Sequence, residues 1–172
     1  MMRVLTAMVF IMAFSGSASG SPAEVNTCFT PAQRCGSMIV AAIDGARTEV
    51  LVQAYSFTSR PIVSALISAA RRGVAVSVLV DKSEEPGKTS HEFAASSLRA
   101  AGIPVAVDSA PQIAHNKVLV IDGQRVVTGS YNFTVAAERK NAENVVVIDS
   151  PDVARMFREN WASRAAVSVP VR

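Results

Sequence analysis

Residues 115–134 read HNKVLVIDGQRVVTGSYNFT, two valine-rich runs on either side of Asp122-Gly123. That dipeptide favours the positive φ of a tight turn, so the stretch reads as a β-hairpin. Residues two apart on a strand share a face, which puts His115 and Lys117 on one side and Asp122, of opposite parity, on the other. A two-residue loop sets Ile121 opposite Gln124 and His115 opposite Ser130; sliding it by one sets Asn132 opposite His115 instead. Either register brings Ser130 and Asn132 to the face of His115 and Lys117, with opposed Cβ atoms about 5 Å apart. A three-residue loop breaks this parity and sends the pairs to opposite faces. Four polar side chains on one face make a poor core and a good anion site.

Upstream of the hairpin, strand and helix patterns alternate. Cys35, Met38, Ile39, Ala42 and Ile43 recur at helical spacing between Pro31 and Ala46, with Pro31 suited to a first turn. Residues 48–57 (TEVLVQAYSF) read as a strand. Residues 59–73 read as a helix with Ile62, Leu66, Ile67 and Ala70 on one stripe, closed by Gly73. Residues 74–80 are strand-like again, and the polar segment 81–90, with Pro86 and Gly87, is a loop before a helix spanning about 91–101. IPVAV, the hairpin, a strand at 143–149 and a helix from about 151 to 164 complete the order, with no internal repeat. The expected fold is α/β: a mixed, mostly parallel sheet flanked by helices on both faces.

A chain of 172 residues with 49% hydrophobic content fits one domain around one core. Its first twenty-three residues stand apart: Arg3, an apolar run from Val4 to Phe14, then the small residues Ser15 to Ala23. This pattern is that of a secretory signal, and the run falls well short of the roughly twenty residues needed to span a bilayer. The expected division is a signal peptide over 1–23 and a catalytic domain over 24–172, with no stable membrane insertion after cleavage. In an oxidising compartment the remaining cysteines, Cys28 and Cys35, are expected to join, stabilising by about 2.5 kcal/mol in the chain-entropy model. The net charge is +3, too small to argue for nucleic acid, so a basic site has to be local.

A histidine can attack phosphorus, a lysine and an asparagine amide can neutralise equatorial oxygens, and a serine hydroxyl can add a hydrogen bond. The set His115, Lys117, Ser130 and Asn132 therefore suits phosphoryl transfer. It does not suit a metal: the chain has two histidines, His91 and His115, and no spaced His, Cys or carboxylate cluster. Catalysis without metal or other cofactor is the expectation.

The order His115-x-Lys117, four residues, Asp122, six residues, Gly129-Ser130-x-Asn132 resembles the HKD motif of the phospholipase D superfamily. The likeness extends to EVLVQAYSFTS, ISAARRGVAVSVLVD and KNAENVVVI, which look like the Nuc-type single-motif bacterial endonucleases of that superfamily. The resemblance implies a phosphodiesterase that passes through a phosphohistidine, with a second histidine protonating the leaving oxygen and then activating water. One motif is present, and His91 has no lysine or asparagine at matching spacing. The resemblance thus implies a homodimer whose two copies complete one site. It also implies that Glu143 holds His115 in the correct tautomer and that Asp122 fixes the turn rather than touching substrate.

Arg71, Arg72, Lys82, Lys88, Arg139 and Lys140 favour a polyanion, so nucleic acid, gripped through backbone phosphates with little sequence preference, is the expected substrate. Tyr131 and Phe133 alternate with Ser130 and Asn132 and are assigned to packing. A cardiolipin-type phospholipid is the alternative substrate, and a catalytically inert nucleic-acid-binding module is a third reading. No Trp- or Phe-rich amphipathic segment argues for docking on a bilayer, and Trp161 fits a core role. Export and the resemblance together imply a periplasmic location, with secretion to the medium as the alternative.

Overall fold

Valine and isoleucine crowd the pleated surface well, and the runs of them pair here into one eight-stranded sheet. The computed structural model of the chain describes residues 22–85 and 93–171. The expected signal peptide, apart from its last two residues, lies outside the described residues, as do Lys88 and His91. The strands are β1 (Glu24–Phe29), β2 (Glu49–Ala54), β3 (Ala75–Asp81), β4 (Val105–Asp108), β5 (Lys117–Ile121), β6 (Arg125–Gly129), β7 (Asn144–Asp149) and β8 (Val169–Pro170). Their order across the sheet is β1-β7-β6-β5-β2-β3-β4-β8.

The sheet is mixed, as expected, but it is not mostly parallel. Only β2 with β3 and β3 with β4 run parallel; the other five pairings among the described residues are antiparallel. Apolar runs report that both faces of a strand are covered, and they carry no information on its direction. The parallel pairs are those joined by helical crossovers.

Those crossovers are α2 (Arg60–Arg71) and α3 (Phe93–Ala100), which lie with α1 (Cys35–Asp44) on one face. Phe57, Ile39, Ile43, Ile62, Leu66 and Leu98 fill the core beneath them. Helix α5 (Pro151–Ala165) covers the other face, where Ala154, Val153, Phe157 and Trp161 meet Leu51, Val118, Val120 and Val126. The Trp161 indole N–H donates to the Val52 carbonyl at 3.0 Å, which satisfies the polar edge of a ring otherwise in packing. Helix α4 (Val135–Arg139) is a short insertion between β6 and β7.

The first helix begins later than its apolar spacing suggests. Pro31 follows a cis peptide in the turn before it, and the helix starts at Cys35. Strand β1 takes up the preceding residues, and a disulfide joins its Cys28 to Cys35.

This topology collects one end of every central strand. The carboxyl ends of β2 and β3 lie beside the amino end of β5, because Ala54 pairs with Lys117 in antiparallel register. The carboxyl end of β6 and the amino end of β7 lie there too, with Gly129 opposite Val145, and so does the end of β1, with Phe29 opposite Asn144. Crevices outside the carboxyl ends of parallel strands are where open α/β sheets bind ligands.

Candidate active site

The hairpin that carries the site has a three-residue loop. Asp122 and Gly123 hold positive φ, 54° and 63°, and the Gln124 N–H donates to the Ile121 carbonyl at 3.0 Å, yet Ile121 pairs with Arg125. Gln124 is thus an extra residue whose own carbonyl accepts from the Ser150 N–H at 2.9 Å. Both two-residue registers expected from the sequence are therefore corrected. Simple alternation would now put Ser130 on the face opposite Lys117.

Gly129 restores the convergence. Its φ of +144° takes the chain out of the pleat, and a Cβ built on it would stand 2.2 Å from the Asn144 carbonyl oxygen. No other residue fits that approach. Beyond it the Ser130 hydroxyl donates to Glu143 Oε2 at 2.5 Å and accepts from the Asn144 N–H at 3.0 Å. The site is assembled around the end of the sheet, not across one face.

His115 is exposed and Lys117, at 6% exposure, is buried beside it. The Lys117 ammonium lies 3.0 Å from His115 Nδ1 and donates to the His115 carbonyl at 2.7 Å. Tyr55, just past β2, packs its ring 4.5 Å from the imidazole centroid and 5.0 Å from Lys117 Nζ. Burial pulls the Lys117 ammonium below its ordinary pKa, partly offset by the attraction of Glu143. Glu143 accepts from Ser130 and, through Oε1, from Asn141 Nδ2 at 2.9 Å. Its carboxylate is spent on these two groups rather than on His115, so it orients Ser130 and faces Lys117.

Asn132 lies two residues beyond Ser130, and its side-chain carbonyl is buried with no hydrogen-bond partner. Buried polar atoms are nearly always paired, so an unpartnered one two residues from Ser130 marks this position for a functional role rather than a packing one. Tyr131 and Phe133 are buried. Phe133 meets Phe57 edge-on, and the Tyr131 hydroxyl donates to Glu138 Oε2 at 3.0 Å. Burial, and then the Glu138 carboxylate, push that phenol far above its usual range, so it stays protonated.

Asp122 sits at the opposite end of β5. Its carboxylate accepts from the backbone N–H groups of Arg47, Thr48 and Glu49 and from the Thr48 hydroxyl, at 2.8 to 3.2 Å. It clamps the hairpin tip to the start of β2 and cannot reach a substrate at His115. Burial raises its pKa, and those donors outweigh burial and hold it below the ordinary aspartate value.

The basic residues divide between the two ends. Arg71 and Arg72 close α2 at the far end, where Arg72 donates to the Ile43 and Asp44 carbonyls that end α1. Lys82 follows β3 at the site end, donating to the Pro111 carbonyl at 3.4 Å; Arg139 and Lys140 end α4 just before Asn141. Arg60, overlooked in the sequence, starts α2 at the site end and stacks 4.8 Å from the Phe93 ring centroid.

Three other contributors were not singled out from the sequence. Tyr55 is foreshadowed only by its place at a strand's carboxyl end. Asp81 accepts from the Ala114 N–H at 2.7 Å and so holds the approach to His115. Thr30 bonds the segment 141–143. None of these belongs to a local pattern. Among the described residues no group of three or more His, Cys, Asp or Glu side chains gathers, and no helix is long and apolar enough to cross a membrane.

Comparison with known proteins agrees with this geometry. Residues 39–164 match the family model described as cardiolipin synthase, PLD-like domain. A phospholipase D of Rickettsia bellii is 45% identical over 148 residues, 85% of this chain and 71% of that one. The mitochondrial cardiolipin hydrolase of Danio rerio is 30% identical over 126 residues, 73% of this chain and 54% of that protein. Among solved structures, Nuc from Salmonella typhimurium, a phospholipase D family member, superposes with a TM-score of 0.83 at 38% identity, over 88% of this chain and 99% of that one. With the family model spanning most of the chain and His115, Lys117, Ser130 and Glu143 gathered at one end of the sheet, the chain belongs to the phospholipase D-like family and is a phosphodiesterase of that superfamily.

Proposed function

We propose that the chain is a metal-independent, sequence-nonspecific endonuclease of DNA, with RNA as a secondary substrate, acting as a homodimer with one composite site. The observation that carries this reading is a solitary, exposed His115 paired with a buried Lys117 in a chain whose other histidine lies in no matching pattern.

With the Lys117 ammonium donating to Nδ1, the imidazole's own proton sits on Nε2. An arriving phosphodiester draws the ammonium to a non-bridging oxygen; Nδ1, now free, takes a proton from solvent as Nε2 releases its own to solvent, which leaves the Nε2 lone pair for attack. The N–P bond forms and the P–O bond to the leaving group breaks. The partner subunit's His115, whose Nδ1 has likewise been freed and has taken a proton from solvent, gives its Nε2 proton to the leaving oxygen. That imidazole, now neutral, takes a proton from water, whose oxygen displaces His115 from phosphorus. The sum is one diester plus water giving one monoester and one alcohol. Asn132 and Lys117 stabilise the equatorial charge.

Arg60, Lys82, Arg139 and Lys140 at the site end support a backbone-phosphate groove. Phe29, Ile113 and Val135, exposed to 55%, 52% and 50%, border the same end and supply apolar surface for a second copy to cover. The same three residues favour a second reading, a phospholipid phosphodiesterase, in which they meet acyl chains. Purified protein incubated in chelator with plasmid DNA and with cardiolipin vesicles separates the two. Plasmid cleavage that survives EDTA is expected; intact plasmid with hydrolysed lipid would establish the second reading. His115→Ala should abolish cleavage and leave DNA binding largely intact, which also distinguishes an enzyme from an inert binding module. Export through residues 1–23 to a periplasm completes the proposal.

A further inference from the structure

The segment from Cys28 to Gly36 is bound to both sides of the site, although its hydrogen bonds go to neither His115 nor Lys117. Its ends are tied by the Cys28–Cys35 disulfide, both cysteines buried, and its middle by a mutual pair: the Phe29 N–H donates to Gln33 Oε1 at 2.7 Å and the Gln33 N–H to the Phe29 carbonyl at 3.0 Å. On one side is Thr30, 5% exposed and one step beyond the last ladder pair, Phe29 with Asn144, so that it stands opposite Glu143. The Thr30 N–H donates to the Glu143 carbonyl at 3.0 Å, and its hydroxyl accepts from the Glu143 N–H at 3.1 Å while donating to the Asn141 carbonyl at 3.0 Å. On the other side the Gly36 N–H donates at 2.9 Å to Glu138 Oε2, the same oxygen that receives the Tyr131 hydroxyl.

Asn141 and Glu143 are the residues whose side chains meet in the site, and Ser130 hangs from Glu143. The end of a ladder frays unless something satisfies its last groups. Here one hydroxyl does so at both Asn141 and Glu143, using its single proton and a lone pair. We propose that Thr30, held by the disulfide loop, is a positioning residue that fixes the Glu143 carboxylate against Ser130 and Lys117, so that turnover depends on an oxidised Cys28–Cys35 pair. The inference rests on the phosphodiesterase reading of that site.

The test compares Thr30→Val, which keeps the shape and removes the hydroxyl, with Thr30→Ser, which keeps the hydroxyl, using bis(p-nitrophenyl) phosphate as substrate. Thr30→Val is expected to lower kcat by about 10- to 100-fold with KM within about twofold, since misplacement of a catalytic group costs on this scale. Thr30→Ser should return kcat to within about threefold of wild type. The Cys28→Ser, Cys35→Ser double variant, folded by circular dichroism, should show the same kcat loss as Thr30→Val. Amide exchange at Glu143, which needs no activity, should quicken about tenfold in Thr30→Val and not in Thr30→Ser. Wild-type kcat in Thr30→Val, a loss that serine does not restore, or unchanged exchange at Glu143 would overturn the proposal. Wild-type protein that fails to turn over, or turnover that survives His115→Ala, would instead sink the phosphodiesterase reading, and the exchange arm would still decide whether Thr30 holds Glu143.

Discussion

Lys117 is a charge kept where stability does not want it. Its ammonium is buried at the end of β5, its pKa lowered by that burial, with Glu143 as a partial counterweight. A lysine whose folded pKa lies below its unfolded one destabilises the fold at every pH where it is charged, and the penalty lifts only as pH rises through the folded value. Lys117→Met is therefore expected to raise Tm at neutral pH while removing phosphodiester cleavage, a trade typical of functional sites. Thermal unfolding read beside turnover checks this; a lower Tm with retained activity would show that the lysine serves the fold. Tyr55 lies under both His115 and Lys117, offering its ring face to the cation. Tyr55→Leu should keep the packing, loosen both groups and lower kcat by about tenfold, whereas Tyr55→Phe should be near wild type.

At the scale of elements the hairpin is held at both ends, by different devices. At the tip the Asp122 carboxylate gathers the backbone of residues 47–49. Asp122→Ala should cost about 1–2 kcal/mol by stranding those donors, measured by urea unfolding. The depressed pKa of Asp122, and that of Asp81, means that their stabilisation is complete above the ordinary aspartate value of 3.8 and is lost as pH falls below it. The acid limb of a Tm-against-pH curve should flatten in Asp122→Asn. At the open end Gly129→Ala drives a methyl into the Asn144 carbonyl and should cost about 3 kcal/mol or more, and any protein that folds should have lost the Ser130–Glu143 contact with its activity. The strands β2 to β7 and helices α1, α2, α3 and α5 were legible because their apolar periods differ clearly. Strand β1 was not, since EVNTCF carries Asn and Thr among its apolar residues and pairs with β7, distant in sequence. The five-residue α4 and two-residue β8 are too short to show a period. The hairpin register was misread because nothing in IDGQR marks Gln124 as the extra residue; its carbonyl is claimed by Ser150, far along the chain.

For the whole molecule, the sorting of charge matters more than its sum. The net charge of +3 is small, but β-α-β connectivity puts Arg60 and Lys82 at the site end and turns Arg71 and Arg72 away to the other. Plasmid affinity should accordingly fall steeply with salt, and Lys82→Ala should reduce the slope of log K against log salt by about one, whereas Arg71→Ala should leave it unchanged. The same end carries the chain's chemistry and its exposed Phe29, Ile113 and Val135. Its residues were readable from the sequence as types and spacings; their meeting around the sheet's end, through Gly129 and not through face parity, was not. In the proposed mechanism, a site with one histidine starts the reaction and needs a second copy to finish it. The direct measurement is cleavage by co-expressed, differently tagged wild-type and His115→Ala chains, with mixed dimers purified through both tags. Mixed dimers should be inactive, so that equal random mixing leaves about a quarter of wild-type activity; mixed dimers with half the activity of the wild-type dimer would show that each chain works on its own.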